Sequence, residues 1–459
     1  MLVGFSVSNY KSFKDEQKIS MVASKVARHQ EHISIRSNRK ILKSALIFGA
    51  NAGGKSNFIE AVSFSKNIIL KGLDNVNIDK KYFRIEDKMY FQPAIFEYRM
   101  IIDEIEYSYG FALSYNLKEI LAEWLVKIEA NDKETYIFNR QVDENGINHV
   151  ETEVKYDNPD ENTRINIYLA DFGENISDTL KKKTILSDIA IRVGDKRKLF
   201  HDIVSVYEWF ENMIIIFPNS KYVALNDVVS DDAIRDFFGR IMSFFDTGIE
   251  GVEGQEQEMD FDRVLQNIPK EESEKIKVKI SNNIKNEPIM LKINKKIYIL
   301  RKGENGSIIY YKMLLNHGND NDLFEYLDES DGTRRLFDLL PIMFPNRKNS
   351  VIFIDEIDRS LHTNLTKRFL QMFYQYFSNN SCQLIVTTHD PNLLDLELLR
   401  QDEICFVERK ESHCSELYSL SRYKERFDKK IDREYLIGRY GAIPIFDESL
   451  ISMEEFNEK

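Results

Sequence analysis

The chain has 459 residues, and its 42% hydrophobic, 30% charged and 12% aromatic residues are typical of a globular protein and exclude extended disorder. The formal net charge of -12 argues against a bulk attraction to DNA or to an anionic membrane, although it is compatible with a local basic patch. The first residues lack the basic and apolar regions of a signal peptide, and no apolar run approaches the roughly 18 residues of a membrane span, so we expect a cytoplasmic protein with no membrane partner.

Residues 1–150 predict an N-terminal lobe that contains a glycine-rich loop and a β meander. Apolar alternation and short apolar runs predict strands at residues 2–7, 45–48, 95–102 and 105–114, with two more near 120–140. Asp103 and Glu104 are expected to form the turn inside the meander. From Asn57 onward apolar residues recur at helical spacing, which places a helix directly after the glycine-rich loop.

Residues 151–290 predict a mainly helical insertion. Helical spacing of apolar residues covers residues 184–191, 199–212 and 232–245. Residues 251–290 are polar and acidic, which predicts a flexible or exposed segment that includes a helix rich in Lys and Glu.

Residues 291–459 predict a C-terminal lobe that returns to α/β structure. Strands are expected at residues 290–300, 307–315, 351–355 and 383–388, with a helix from about 360 to 377. No heptad pattern is sustained, which excludes a long coiled coil. The three cysteines contain no close C-x-x-C pair, so we expect reduced thiols and neither a disulfide scaffold nor a zinc site at Cys382, Cys405 and Cys414.

The most specific pattern lies at residues 49–56, which read G-A-N-A-G-G-K-S and match G-x-x-x-x-G-K-[ST] in full. In such a loop backbone N–H groups surround phosphate oxygens, Lys55 meets the β- and γ-phosphates, and the Ser56 hydroxyl ligates Mg²⁺. The apolar strand before it and the helix after it argue against a chance glycine-rich turn. The candidate nucleotide-binding residues are Gly49, Ala50, Asn51, Ala52, Gly53, Gly54, Lys55, Ser56 and Asn57.

Two later apolar strands end in polar side chains. Residues 351–356 read V-I-F-I-D-E, which predicts a buried strand whose Asp355 holds Mg²⁺ through its water shell and whose Glu356 polarises the attacking water. Residues 383–390 read Q-L-I-V-T-T-H-D and place His389 at the exit of a second strand. There it either contacts the γ-phosphate or caps a turn.

A third group of candidates precedes a helical run, where residues 329–336 read E-S-D-G-T-R-R-L. Ser330, Gly332 and Thr333 either present a hydroxyl and N–H groups to a phosphate or form an ordinary helix N-cap. Their position roughly 25 residues before Asp355 favours the phosphate role.

The order of these four motifs is similar to that of the ABC/SMC superfamily. The resemblance implies an α/β fold with a mixed sheet flanked by helices, an antiparallel β subdomain and a helical insertion. It also implies ATP and Mg²⁺ as cofactors, with Lys55, Glu356 and His389 in catalysis. It further implies a glutamine that senses the nucleotide, for which Gln92, before a predicted strand, is the candidate; a solvated surface glutamine is the alternative. In that superfamily the signature of one subunit completes the ATP site of another, so the resemblance implies a homodimer or a larger homo-oligomer with head-to-tail ATP sites.

More closely, the chain resembles the AAA-type ATPases related to OLD and RloA proteins, which occur in phage-defence loci such as PARIS. The segments that carry this resemblance are Asn9–Phe13, Glu123–Leu125, Glu329–Leu336 and Tyr435–Pro444. It implies an ATP-driven sensor or scaffold that holds a toxin or nuclease partner until a phage protein triggers release. OLD proteins also carry a Toprim nuclease, and the roughly 70 residues after His389 are too few for one.

Other functions stay open at this point. An SMC-like repair ATPase that clamps DNA would need a basic groove, which the net charge does not indicate. A regulatory protein that binds ATP and barely hydrolyses it is disfavoured by the intact pair Asp355 and Glu356. A transporter engine is disfavoured because 275 residues separate Lys55 from Ser330.

Overall fold

The computed structural model describes residues 1–129, 133–194, 199–219, 227–228, 231–258, 270–281, 289–293, 296–302, 308–344, 349–378, 380–423, 425–426 and 429–444. Its contacts divide the chain into two compact units. The first comprises Met1–Pro218, Lys348–Asp358 and Thr366–Lys459, and the second comprises Asn219–Arg347 and Arg359–Leu365. The second unit is therefore an insertion into the first.

The described part of the first unit contains three sheets. In chain order its elements up to the insertion are β1 (Leu2–Ser8), β2 (Gln17–Ser20), β3 (Ile33–Arg36), β4 (Arg39–Leu42), β5 (Ser44–Phe48), α1 (Lys55–Lys71), β6 (Ala94–Ile102), β7 (Ile105–Ser114), β8 (Glu119–Ile128), β9 (Glu134–Val142), β10 (Asn148–Glu151), α2 (Pro159–Ala170), α3 (Ile185–Val193), α4 (His201–Glu211) and β11 (Ile214–Ile216).

Within its described residues, the second unit contains an antiparallel sheet and three α-helices. Its elements are α5 (Asp232–Phe244), β12 (Gly251–Glu258), α6 (Lys270–Ser281), β13 (Ile289–Ile293), β14 (Lys296–Lys302), β15 (Ile308–Asn316), β16 (Phe324–Glu325) and α7 (Asp331–Leu339). The strand order is β12-β15-β14-β13, and β16 also pairs with β15. The ring of Phe238 on α5 packs 5.0 Å from Phe337 on α7 and 6.1 Å from Phe344, which forms the core of this unit.

After the insertion the chain continues with β17 (Val351–Ile354), α8 (Thr363–Tyr376), β18 (Gln383–Thr388), β19 (Ile404–Arg409), β20 (Ser415–Ser419) and α9 (Ile431–Leu436). All of these belong to the first unit except the first three residues of α8, which belong to the second. A six-stranded sheet has the order β11-β17-β18-β5-β19-β20, in which only β20 is antiparallel to its neighbour. Every residue of β5, β17 and β18 is buried. Uninterrupted apolar runs of this kind are typical of central parallel strands that are covered on both faces.

A seven-stranded antiparallel sheet has the order β10-β9-β8-β7-β6-β1-β2, and β3 and β4 form a separate hairpin. Asp103 and Glu104 have φ values of 49° and 62° and join β6 to β7 as the predicted two-residue turn. Helix α1 packs on this sheet, because the ring of Phe5 lies 5.5 Å from Phe58 on α1 and 4.6 Å from Tyr98 on β6.

The units divide the chain differently from the predicted stretches 1–150, 151–290 and 291–459. Helices α3 and α4 belong to the first unit because they pack against α1, and Phe210 on α4 lies 5.0 Å from Tyr98 of the antiparallel sheet. The second unit joins the end of the predicted insertion to strands that the sequence assigned to the C-terminal lobe. The helical pattern therefore identified the elements but not the unit to which they belong.

One element within the predicted flexible segment is a strand. Residues 251–258 form β12, which pairs along its whole length with β15. Residues 253–256 are exposed, so the sequence of this strand lacks the alternation of apolar and polar residues that predicts a strand. The strand forms through its backbone hydrogen bonds, which do not require buried side chains. The Lys- and Glu-rich helix is α6, whereas residues 259–269 and 282–288 of that segment lie outside the described residues.

The predicted fold class is confirmed: a mixed sheet flanked by helices carries an antiparallel β subdomain and an insertion. Among the described residues, no helix combines the length and the apolar character that crossing a bilayer requires. The three cysteines are free thiols, and burial raises the pKa of both Cys382 and Cys405 to about 12.

Candidate nucleotide-binding site

The glycine-rich loop connects β5 to α1 at the carboxyl end of β5, between β18 and β19. Two of its glycines are required by close contacts. A Cβ on Gly49 would lie 2.4 Å from the carbonyl oxygen of Val407, and Gly54 has a φ of 118° with Ser415 equally near. The sequence folds this way because only glycine allows the loop to lie directly on β19 and β20.

Residues from both ends of the chain support the back of this loop. The Ser415 hydroxyl donates to the Gly53 carbonyl at 2.7 Å, and the Ser415 N–H donates to the Ser12 carbonyl at 2.7 Å. The Asn57 amide donates to the Ser12 hydroxyl at 2.8 Å. Asn51 and Ala52, on the opposite side, are exposed. The loop is thus held from behind, while its tip remains accessible to a ligand.

Lys55 is buried at the start of α1. Its ammonium donates to the carbonyl oxygens of Gly49 at 2.6 Å and Ala50 at 2.9 Å. Burial lowers the pKa of Lys55 to about 8, and the nearby Asp355 carboxylate partly opposes that shift. The Lys55 ammonium contacts only neutral carbonyl oxygens in these two hydrogen bonds, so negatively charged phosphate oxygens would bind it more strongly.

Ser56 and Asp355 supply oxygen atoms that could hold Mg²⁺. The Ser56 hydroxyl lies 3.2 Å from Oδ1 of Asp355, and the Thr387 hydroxyl donates to that same carboxylate oxygen at 2.6 Å. Mg²⁺ prefers oxygen ligands and usually keeps several of its water molecules. The proximity and the oxygen-only chemistry of the two groups therefore fit an ion that Ser56 ligates and that Asp355 holds through its water shell.

Glu356 and His389 lie where the adjacent strands β17 and β18 end. Glu356 has a φ of 50°, and its N–H donates to the Thr387 hydroxyl at 2.8 Å. His389 Nε2 lies 3.7 Å from Glu356 Oε1, and the His389 N–H donates to the Asp358 carboxylate at 3.3 Å. Burial, followed by the charge of Lys55, lowers the pKa of His389, so its imidazole is neutral near pH 7.

Ser330, Gly332 and Thr333 lie in the second unit, at the start of α7. Ser330 is the N-cap, since its hydroxyl accepts the Thr333 N–H at 3.1 Å and lies 2.9 Å from the Thr333 hydroxyl. Ser330 is exposed, and a Cβ on Gly332 would lie 2.9 Å from the Ser360 carbonyl oxygen. The cap geometry is therefore present, and it leaves the N-terminus of α7 accessible to solvent.

Gln92 is exposed and precedes β6. Its backbone carbonyl accepts from the Asn9 side-chain amide at 2.8 Å. Within the described part of the chain, no hydrogen bond joins the Gln92 side chain to the glycine-rich loop. This is the geometry of the solvated alternative, and a nucleotide role for Gln92 stays a prediction.

Residues 44–395 match the family described as "AAA domain, putative AbiEii toxin, Type IV TA system", which is more than half of the chain. The chain belongs to this AAA-domain family. The match begins at the first residue of β5 and extends past His389, so it includes the glycine-rich loop and the two strands that face it. The protein is therefore a P-loop protein of the AAA type.

Solved structures similar to this AAA-domain chain include two SMC heads. The "SMC head domain from Thermotoga maritima" is 16% identical, covers 91% of this chain and 98% of its own, and has a TM-score of 0.38. The "SmcHead bound to the C-winged helix domain of ScpA" is 15% identical, with coverage of 92% and 99% and a TM-score of 0.38. None of the curated proteins matches the chain.

In this AAA-domain chain the fold brings Lys55, Ser56, Asp355, Glu356 and His389 together around one loop. The sequence did not assign a role to Thr387, although it lies in the strand that pointed to His389. Strand β18 is parallel to β17, with Val386 opposite Ile354, and this pairing could have placed Thr387 beside Asp355. Ser12 and Ser415 carry no comparable signal, because only the folded sheet brings them to the loop.

Proposed function

We propose that the protein binds ATP with Mg²⁺ in the loop of residues 49–57 and hydrolyses the bond between the β- and γ-phosphates. The observation that carries this proposal is the Ser56 hydroxyl 3.2 Å from the Asp355 carboxylate, whose charge also acts on the buried Lys55. A cation site next to a phosphate-binding loop serves a metal–nucleotide complex. The membership of the AAA-domain family supports the same conclusion.

Each residue then has a defined role. Ser56 and Asp355 would hold Mg²⁺, which neutralises charge on the phosphates when bound. Lys55 exchanges the carbonyls of Gly49 and Ala50 for phosphate oxygens. Glu356 orients a water molecule and takes up its proton as the water oxygen bonds to the γ-phosphorus and the bond to the bridging oxygen breaks, which yields ADP and phosphate. The neutral imidazole of His389 donates a hydrogen bond to the γ-phosphate.

The second part of the proposal is a site completed by another copy of the chain. The N-terminus of α7 offers N–H groups and the positive end of a helix dipole, which favour an anion. Ser330, Gly332 and Thr333 of one protomer would contact the γ-phosphate held by Lys55 of the other. Two such sites in head-to-tail arrangement make the minimal assembly a homodimer.

Steady-state ATP turnover of three Ser330 variants, with nucleotide binding measured in each, tests this arrangement. Ser330→Arg blocks the helix terminus, Ser330→Ala removes the hydroxyl, and Ser330→Thr keeps it. We expect Ser330→Arg to bind ATP and lose turnover at least tenfold, while Ser330→Thr stays close to wild type. If the free energy of unfolding of Ser330→Arg and Ser330→Ala falls by only the roughly 1 kcal/mol of a missing N-cap and both variants keep ATP turnover, Ser330 is a helix cap and the composite site is refuted.

For the biological role, we propose an ATP-driven sensor and scaffold that controls a toxin or nuclease partner in antiphage defence. The family description names a putative toxin and a toxin–antitoxin system, which supports this setting. The net charge of -12 favours a protein partner over DNA. A phage protein would supply the trigger that opens the assembly, and hydrolysis would reset it.

Co-purification of the chain with the product of its neighbouring gene, with and without ATP, tests the scaffold role. An ATP-dependent complex is expected. DNA binding by the Glu356→Gln variant, measured at several salt concentrations, tests the alternative of a DNA-clamping repair ATPase. If no neighbouring product binds, and DNA affinity falls steeply with salt, the DNA-clamping alternative replaces the scaffold.

A further inference from the structure

A cluster of metal-ligating side chains lies away from the nucleotide site, just before β3. His29, Glu31 and His32 each offer one ligand atom, and these three atoms lie within 4.8 Å of one another. Glu31 Oε1 is 3.3 Å from His29 Nδ1 and 3.7 Å from His32 Nε2. His32 is buried and Glu31 is exposed, so the cluster is anchored on one side and open to solvent on the other.

The hydrogen bonds of His29 determine which of its nitrogens carries the proton. Its Nε2 lies 3.0 Å from the carbonyl oxygen of Leu396, which can only accept, so Nε2 must be the donor. Nδ1, the other ring nitrogen, lies 3.3 Å from the Glu31 carboxylate and is the nitrogen available to a cation that this carboxylate also contacts.

His32 is arranged in the same way. Its Nδ1 lies 2.9 Å from Oε2 of the fully buried Glu403, and Glu403 also accepts from the Ser44 hydroxyl at 2.7 Å and from the Arg400 N–H at 2.8 Å. Donation from Nδ1 to this carboxylate leaves the lone pair of Nε2 on the side of Glu31. A carboxylate that accepts from the far nitrogen of a histidine is the usual support for a metal-ligating histidine.

The ring of His32 is also fixed by stacking. It lies 3.5 Å from the ring of Tyr374 on α8, with an angle of 8° between the planes. The ring of His29 stacks at 4.9 Å on the same imidazole. These ring contacts restrict the orientation of both imidazoles, which reduces the entropy lost when an ion binds.

We propose that His29 Nδ1, Glu31 and His32 Nε2 bind a divalent transition-metal ion of the Zn²⁺ class. Metal bonds of about 2.0–2.1 Å in a tetrahedron place ligand atoms roughly 3.4 Å apart, close to the 3.3 Å and 3.7 Å separations here. Two imidazoles and one carboxylate are ligands that select Zn²⁺ and similar ions over Mg²⁺. Water completes the coordination on the exposed side.

This site is separate from the P-loop. Its supporting residue Glu403 contacts Ser44, the first residue of β5, whereas the glycine-rich loop follows the last residue of the same strand. A bound ion would tie the segment before β3 to β5, to α8 and to the start of β19. The expected consequence is a more stable first unit, with nucleotide binding unaffected by the metal.

Titration of the full nucleotide-free chain with Zn²⁺ alone, in excess Mg²⁺ to saturate oxygen-only sites, tests the proposal. We expect one ion per chain, and Glu31→Gln and His29→Ala to weaken binding at least tenfold. The matched control is His149→Ala, because His149 lies 3.0 Å from the Asp143 carboxylate in a pair that has no third metal-ligating side chain among the described residues. The control should bind Zn²⁺ as the wild type does.

Co²⁺ provides a second readout, since its visible absorption reports a tetrahedral nitrogen and oxygen ligand set in the wild type that Glu31→Gln should lose. Binding that is unchanged in both Glu31→Gln and His29→Ala would overturn the proposal. It is equally overturned if the wild type takes up no Zn²⁺.

Discussion

The Thr387 hydroxyl links the metal-binding carboxylate to the residue that orients water. Thr387 is fully buried, donates to Asp355 Oδ1 at 2.6 Å and accepts the Glu356 N–H at 2.8 Å. Thr387→Val keeps the shape and removes both bonds. A hydrogen bond to a charged group contributes about 1.5–3 kcal/mol and an ordinary one about 1 kcal/mol, so we expect the free energy of unfolding to fall by roughly 3 kcal/mol.

The same change should slow catalysis. Glu356 has a left-handed φ of 50°, a conformation that costs about 1–2 kcal/mol for a residue with a side chain. Thr387→Val removes the hydrogen bond that the Glu356 N–H donates to the Thr387 hydroxyl, so the Glu356 carboxylate is less well positioned to orient the attacking water. ATP turnover is expected to fall at least tenfold, while ATP binding changes only a few-fold, because Lys55 and the loop are untouched.

Thr366→Val on α8 is the matched control. Thr366 is also fully buried, and among the described residues no hydrogen-bond partner reaches its hydroxyl. Its replacement should leave stability unchanged or raise it, and turnover should stay at the wild-type level. Urea unfolding and steady-state turnover are the assays. Equal effects of the two substitutions would refute the reasoning, since burial rather than the two hydrogen bonds would then explain the loss.

Three further predictions follow from the geometry. The ATP affinity of Glu356→Gln should fall as the pH rises above about 8, because the lowered pKa of Lys55 leaves its side chain neutral there and ATP binding must then take up a proton. Calorimetric titration from about pH 7 to about pH 10 measures this affinity, and an affinity that does not change with pH would contradict the prediction. Burial raises the pKa of Glu123 to about 7, so its contribution to the free energy of unfolding is complete below pH 4.5 and lost by about pH 7. Denaturant titrations across that range should show a loss of about 3 kcal/mol in the wild type and none of it in Glu123→Gln. Gly54→Ala should weaken ATP binding more than tenfold, since its Cβ would lie 2.4 Å from the Ser415 hydroxyl. The control Gly146→Ala, at a glycine that also has a positive φ but has nothing within 4 Å of its Cβ, should bind ATP as the wild type does. Equal ATP binding by both variants would show that the contact with Ser415 does not shape the loop.

Much of the nucleotide site could be predicted from the sequence, because its parts are encoded locally. The loop at residues 49–56 needs glycines and a lysine at fixed spacing, and β17 and β18 are continuous apolar runs that end in polar residues. The meander and its turn at Asp103 and Glu104 could also be predicted, since apolar and polar residues alternate with the two-residue period of a half-buried strand.

The remainder depends on contacts between distant parts of the chain. Ser415 reaches Gly53 across 362 residues, and nothing in either segment predicts that encounter. The assignment of α3 and α4 to the first unit depends on which apolar surface covers them. Glu123 shows this clearly: its buried carboxylate accepts the N–H groups of Ile185 and Leu186 and fastens the start of α3 to β8. A helical pattern gives the helix but not its neighbour.

The order of the strands around β5 has a consequence for protein synthesis. Strand β5 is apolar from Ala45 to Phe48, and both of its neighbours, β18 and β19, begin at or after Gln383, which is 335 positions after Phe48. At about 5–20 residues per second the ribosome needs roughly 20–70 seconds to make that stretch. During this time the nascent chain carries a hydrophobic strand with both edges unpaired, which is a surface that chaperones bind and that promotes aggregation.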